Sequence, residues 1–148
     1  EYLKSWGKDE EIIEFDVSSA TVELAARALN TEPERIAKTL SFIKDDVPIL
    51  IVTAGNMKID NKKYKKEYGS KAHMLPADEV KELIGHEVGG VCPFGVKGNV
   101  EIYLDVSLKN YDFMYPACGS SNSAIKLDYK ELEEMANPLK WVDVCKQK

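Results

Sequence analysis

Gly89-Gly90-Val91-Cys92-Pro93-Phe94-Gly95 is the stretch of this chain whose residue types best suit chemistry. Glycine, lacking a Cβ, lets a ligand approach main-chain N–H and C=O groups, and proline stiffens the path between them. Such a loop offers backbone groups rather than a reactive side chain. Cys92 adds a thiol, with His86 nearby in sequence as a conceivable base. That pair reads either as an activated nucleophile or as an inert, semi-buried thiol beside an unrelated imidazole.

Several chemistries lack their residues. The loop does not end in Gly-Lys-Ser/Thr and does not contain Gly-x-Gly-x-x-Gly, so neither a nucleotide hydrolase nor dinucleotide binding is expected. No Gly-x-Ser-x-Gly element is present to carry a serine nucleophile. The two histidines, His73 and His86, are not one helical turn apart. The three cysteines, Cys92, Cys118 and Cys145, form no Cys-x-x-Cys pair, so no metal, cofactor or disulfide framework is expected. This usage fits a reducing cytoplasm.

The formal net charge of −5 argues against a broadly basic nucleic-acid-coating face, and DNA is not an expected partner. Between Lys58 and Lys71, however, Lys58, Lys62, Lys63, Lys65, Lys66 and Lys71 outnumber Asp60 and Glu67. This segment reads either as a solvated helix face or as a small patch that tracks phosphates. The longest apolar run, around Val47 to Val52, is far short of the roughly 20 residues that span a bilayer, and the first residues lack the basic-then-apolar order of a signal peptide. A cytoplasmic protein without a membrane partner is expected.

The elements that must position these residues follow from periodicity. At 148 residues, one domain over 1–148 is expected, with no repeat, low-complexity tract or linker. Ser18 and Ser19 precede apolar Val22, Ala25, Ala26 and Leu29, which predicts a capped amphipathic helix. Thr31-Glu32-Pro33-Glu34 resembles a capping box and predicts a short second helix through Ile36 and Ala37, with Lys38 at its solvent-facing end. Thr39 to Ile43 and Val47 to Ala54 read as a hairpin turning at Lys44-Asp45-Asp46, its second strand covered on both faces.

Asn61 to Tyr68 and Pro76 to Ile84 each read as a helix stopped by glycine, at Gly69 and Gly85. Val100 to Leu104, Phe113 to Ala117 and Ala124 to Leu127 read as strands. Asp128 opens a capped helix to about Ala136, and Trp141 to Val144 could close a sheet. The class is a mixed α+β domain. Between the Phe113 to Ala117 and Ala124 to Leu127 strands, Gly119-Ser120-Ser121 reads as a simple turn.

In order and spacing, Ser19-Ala20-Thr21-Val22-Glu23, Ile36-Ala37-Lys38-Thr39-Leu40-Ser41-Phe42, the Gly89 to Gly95 loop and Gly119-Ser120-Ser121 resemble one known pattern across nearly the whole chain. It is that of the YbaK/prolyl-tRNA-synthetase-associated family, free-standing relatives of the bacterial prolyl-tRNA synthetase insertion domain. The resemblance implies a barrel-like mixed β-sheet surrounded by helices. It also implies trans-editing hydrolysis of a wrong amino acid, such as Cys or Ala, from the 3′ acceptor end of tRNA(Pro), with prolyl-tRNA synthetase a further partner to consider.

Carried residue by residue, the resemblance makes Lys38 the contact to the terminal nucleotide. Gly89, Gly90, Val91 and Pro93 form the Gly-x-x-x-Pro loop whose backbone holds the aminoacyl group. Phe42, Cys92, Phe94, Gly95, Gly119, Ser120 and Ser121 are then placed around the substrate. Lys58, Lys62, Lys63 and Lys66 would meet RNA. An aminoacyl ester is already activated, so backbone oxyanion donors and a held water suffice without a strong side-chain base, and the resemblance implies that the free hydroxyl of the terminal ribose orients that water. Two other classes compete: a non-catalytic module that binds tRNA ends or a synthetase, and a small-ester hydrolase dependent on Cys92.

Overall fold

Ile36–Lys44 and Val47–Ala54 pair as an antiparallel hairpin, β2 and β3, in register from Lys44 opposite Val47 to Ala37 opposite Ala54. The turn residues Asp45 and Asp46 take positive φ values of 50° and 65°. A two-residue turn needs that left-handed geometry to match strand twist, and aspartate tolerates it better than most residues. In β3 every residue after Val47 is buried, as expected of a strand covered on both faces.

The structure is a computed structural model and describes residues 13–14, 22–29, 31–84, 96, 100–116 and 123–147. Besides the hairpin it contains β1 (Ile13–Glu14), β4 (Met57–Ile59), β5 (Glu101–Asp105), β6 (Tyr115–Pro116), β7 (Ser123–Ala124), β8 (Lys140–Val142) and β9 (Cys145–Gln147). The helices are α1 (Val22–Leu29), α2 (Asn61–Tyr68), α3 (Ala77–Ile84) and α4 (Tyr129–Ala136). The main sheet has the order β6-β2-β3-β5-β8, parallel except between β2 and β3. Two antiparallel ribbons, β1-β7 and β4-β9, complete a curled half-barrel, the mixed α+β class expected from the sequence.

Alternation along β3 divides the core. Leu50, Val52 and Ala54 face α3 and α4: Leu50 packs with Val80 and Ile84, and Val52 with Leu104, Leu132 and Met135. Ile49 and Ile51 face the opposite way, toward Phe42, Tyr64 of α2, Val144 and Cys145. Burial of these aliphatic side chains supplies the driving force, at about 25 cal/mol per Å² of apolar surface removed from water.

The helix ends follow their sequence signals. The Asp60 side chain accepts from the N–H groups of Lys62 and Lys63 at the start of α2, and Gly69 ends that helix at φ 77°. Asp128 and Glu131 form both bonds of a capping box on α4. The serines expected to cap α1, and Gly85, lie outside the described residues.

The predicted second helix is not formed. Pro33–Arg35 makes a single 3-10 turn, Glu32 makes no side-chain cap, and Ile36 already begins β2. Residues 36 and 37 instead pair with Tyr115 and Pro116 of β6. Bridging two strands wins over a nucleus too short to repay its own ordering. Lys38 is therefore a mid-sheet residue, not a helix-end residue. Of the expected Phe113–Ala117 and Ala124–Leu127 strands the described residues form β6 and β7, supplemented by an isolated bridge between Met114 and Leu127, and Ala117 lies outside the described residues. Trp141 to Val144 contributes β8 at the sheet edge, displaced to Lys140–Val142.

Candidate functional site

Lys38 lies opposite Thr53 in the β2-β3 register, which puts both side chains on one face of the sheet. The lysine is half-buried. Its Nζ donates to the Gly55 carbonyl at 3.5 Å and more closely to the Met57 carbonyl. Gly55 and Asn56 form the turn from β3 into β4, so the ammonium is held where the chain leaves the sheet. Asn56 Oδ1, in the same turn, is buried and has no hydrogen-bond partner among the described residues.

A buried polar network supports that turn. Ser107 Oγ lies 3.0 Å from Thr53 Oγ1 and accepts the Ala54 N–H at 3.2 Å. Asp105, 1% exposed at the end of β5, accepts the Ser107 N–H through one oxygen and the Val144 N–H through the other, each at 3.0 Å. One carboxylate thus joins three segments: the end of β5, the 3-10 turn Val106–Asn110 and the approach to β9. Cys145 is buried beside this network, and burial pushes its thiol up to about 12, with a hydrogen bond to Thr53 acting in the opposite direction. At neutral pH it is a protonated packing residue rather than a nucleophile.

Phe42 shares the face of Lys38 but is only 2% exposed, and its ring centroid lies 5.5 Å from that of Tyr64. It is a core side chain. Gly89, Gly90, Val91, Cys92, Pro93, Phe94 and Gly95, together with Gly119, Ser120, Ser121 and His86, lie outside the described residues. Their flanks are described. Ile84 ends α3 fully buried, and Val96 packs onto the sheet between Leu50 and the α4 side of the core. Pro116, paired with Ala37 next to Lys38, accepts from the Ile125 N–H at 3.1 Å.

The basic segment is spread over two elements. Lys62 and Lys66 are exposed on α2, and Lys58 is exposed on β4. Lys63 is engaged: its Nζ donates to Asp143 and to the Cys145 carbonyl, each at 3.1 Å, and the bond to Asp143 raises its pKa. Sequence reasoning missed Thr53, Asp105 and Ser107. The available signal was a polar residue in an otherwise aliphatic β3 and an acid at the end of apolar β5.

Asp60 gives this region a pH signature. The Lys63 and Lys62 N–H bonds, the former dominant, hold its carboxyl below the ordinary aspartate value. A lowered folded pKa means its contribution is complete above the unfolded value near ~4 and is lost as pH falls through the folded one. Asp60→Ala should lower the melting temperature at neutral pH, and the gap from the unaltered protein should close in acid. A gap independent of pH down to about 3 would remove the carboxylate from the cap.

Comparison with known proteins bears on the whole arrangement. Residues 16–135 match the family model for the aminoacyl-tRNA editing domain. The chain is 52% identical over 146 residues to the uncharacterised protein YwhH of Bacillus subtilis (strain 168), covering 98% of this chain and 93% of that one. It is 34% identical over 85 residues to a proline–tRNA ligase of Bacillus cereus (strain AH187), a match that spans 57% of this chain and 15% of the ligase. Among solved structures, a proposed trans-editing enzyme for prolyl tRNA synthetase superposes with a TM-score of 0.87 at 27% identity, covering 98% of this chain and 92% of that one. The hypothetical protein APE2540 superposes with a TM-score of 0.85 at 25% identity, covering 99% and 100%.

Proposed function

Since the chain belongs to the aminoacyl-tRNA editing domain family, we propose that it hydrolyses the ester of a mischarged tRNA, with tRNA(Pro) carrying Cys, Ala or a similarly small amino acid as substrate. The observation that carries this reading is the fixed ammonium of Lys38, half-buried on β2 and oriented by the Gly55 and Met57 carbonyls. A positive charge held at the mouth of a sheet suits a phosphate of the terminal nucleotide. The 85-residue match to a proline–tRNA ligase supports the choice of tRNA.

In this reading main-chain N–H groups between Gly89 and Cys92 receive the carbonyl oxygen, and Pro93, which has none, stiffens the loop. The ribose hydroxyl left free by the ester orients a water. The water oxygen adds to the carbonyl carbon, negative charge collects on the carbonyl oxygen among the N–H donors, and the ester C–O bond then breaks. The departing ribose oxygen takes up a proton and the amino acid leaves as its acid. Donors aimed at that oxyanion contribute most of the acceleration. Lys38 positions the nucleotide and Lys58, Lys62 and Lys66 meet phosphates. The reaction belongs to the cytoplasm, with prolyl-tRNA synthetase as a protein partner.

The test is release of labelled amino acid from Ala-, Cys- and Ser-tRNA(Pro), with correctly charged Pro-tRNA(Pro) as the control. Hydrolysis of one mischarged species above the control supports the proposal and identifies the substrate. Retained tRNA binding without hydrolysis of any species would replace it with a non-catalytic module for tRNA ends.

A further inference from the structure

The β4-β9 ribbon places Lys58 directly opposite Lys146. Their neighbours Ile59 and Cys145 point inward, Cys145 at 1% exposure and Ile59 against the Phe42 and Tyr64 cluster. Alternation therefore turns both lysines to the same outer face, where both are exposed. Directly opposed residues of an antiparallel pair have Cβ atoms about 5 Å apart, and like charges there are destabilising. Among the described residues neither ammonium has an ion-pair partner.

The nearby acid is Asp60, held below its usual pKa chiefly by the Lys63 N–H and to a lesser extent by the charge of Lys146. Its Oδ1 already accepts the Lys62 and Lys63 N–H groups. It softens the repulsion without answering it. Exposed Lys62, on the first turn of α2, adds a third positive charge to the same corner.

We infer that Lys58 and Lys146 form a two-pronged clasp for RNA backbone phosphates next to the Lys38 site. The inference rests on the proposed tRNA substrate and adds to it Lys146, a residue remote in sequence from the basic segment. Position supports the occupant: Lys58 follows Met57, whose carbonyl holds Lys38. A strand rises about 3.3 Å per residue, so the clasp lies within a nucleotide or two of a terminal nucleotide contacted by Lys38. A phosphate between two facing ammonium groups converts their repulsion into paired attraction, and a strand of RNA supplies phosphates in series.

Binding of an uncharged tRNA(Pro) transcript, followed by fluorescence anisotropy between about 50 and 200 mM KCl, tests the clasp in Lys58→Gln, Lys146→Gln and the double variant. Each single change should weaken affinity severalfold at the low-salt end and reduce the slope of log Kd against log salt by about 0.7 to 0.9, with the double variant losing about twice that. Thermal melting should stay level or rise, because each change relieves a like-charge contact. Tight wild-type binding with an unchanged slope in the double variant overturns the clasp alone. Absence of tRNA binding by the wild-type chain overturns the clasp together with the proposed function. A slope that falls alongside a collapsed melting temperature would assign the lysines to folding and also overturn it.

Discussion

Lys38→Met is expected to reduce deacylation of the mischarged substrate by about 100-fold while leaving the fold in place, since losing the contact that positions the nucleotide misplaces the ester, and a misplacement of about 1 Å has effects of this size. Methionine keeps an unbranched apolar stem in the half-buried slot beside Thr53 and removes only the ammonium. The Gly55 and Met57 carbonyls lose a donor. That loss costs about 1 kcal/mol, well within the margin of a domain of this size. Single-turnover rates with circular dichroism on the same sample separate the two effects. Unchanged turnover in a folded variant would take Lys38 out of the reaction.

Asp105→Ala should be the most damaging single change to stability outside the aliphatic core. It strips the Ser107 and Val144 N–H groups of their shared acceptor in a site where the carboxylate is only 1% exposed. Leaving two buried donors unanswered costs about 3 kcal/mol, or a melting temperature lower by about 6 to 12 °C. Activity should fall further than stability alone requires, because Ser107 also holds the Ala54 N–H, one residue before the carbonyl that positions Lys38. Asp105→Asn keeps one accepting oxygen and turns an amide N–H toward the other donor, so it rescues at most one of the two bonds. A melting temperature within 2 °C of the unaltered protein for Asp105→Ala would contradict this account.

The hairpin was legible because β3 is aliphatic on both faces and Asp45-Asp46 suits the turn, so local preference and burial agree. The same agreement made α2 legible from Asp60 to Gly69. Lys38 was misplaced because Thr31 to Glu34 has the grammar of a helix start, while the deciding contact, pairing of Ile36 and Ala37 with β6, comes from residues 115 and 116. The ribbon strands β4 and β9 were invisible for a related reason: three residues each are too few to show a period, and each is defined by its partner. Of the candidate site, the lysines were legible by type. Their engagement was not: Lys63 is tied to Asp143 and the Cys145 carbonyl, whereas Lys58 meets Lys146. For Asp105 and Ser107 the sequence offered only an acid at a strand end, because the partners that define their role, Val144 and Ala54, are 39 and 53 residues away.

The pairing of Met57 with Gln147 also sets an order of events. The hairpin closes over a two-residue turn and forms early, whereas the β4-β9 ribbon waits for residues 145–147 and a loop closure spanning most of the sequence. During synthesis, the Lys38 strand therefore exists before the ribbon that steadies its Met57 acceptor. A nascent chain can hold the paired hairpin and still lack a completed site, so competence follows the hairpin and does not accompany it.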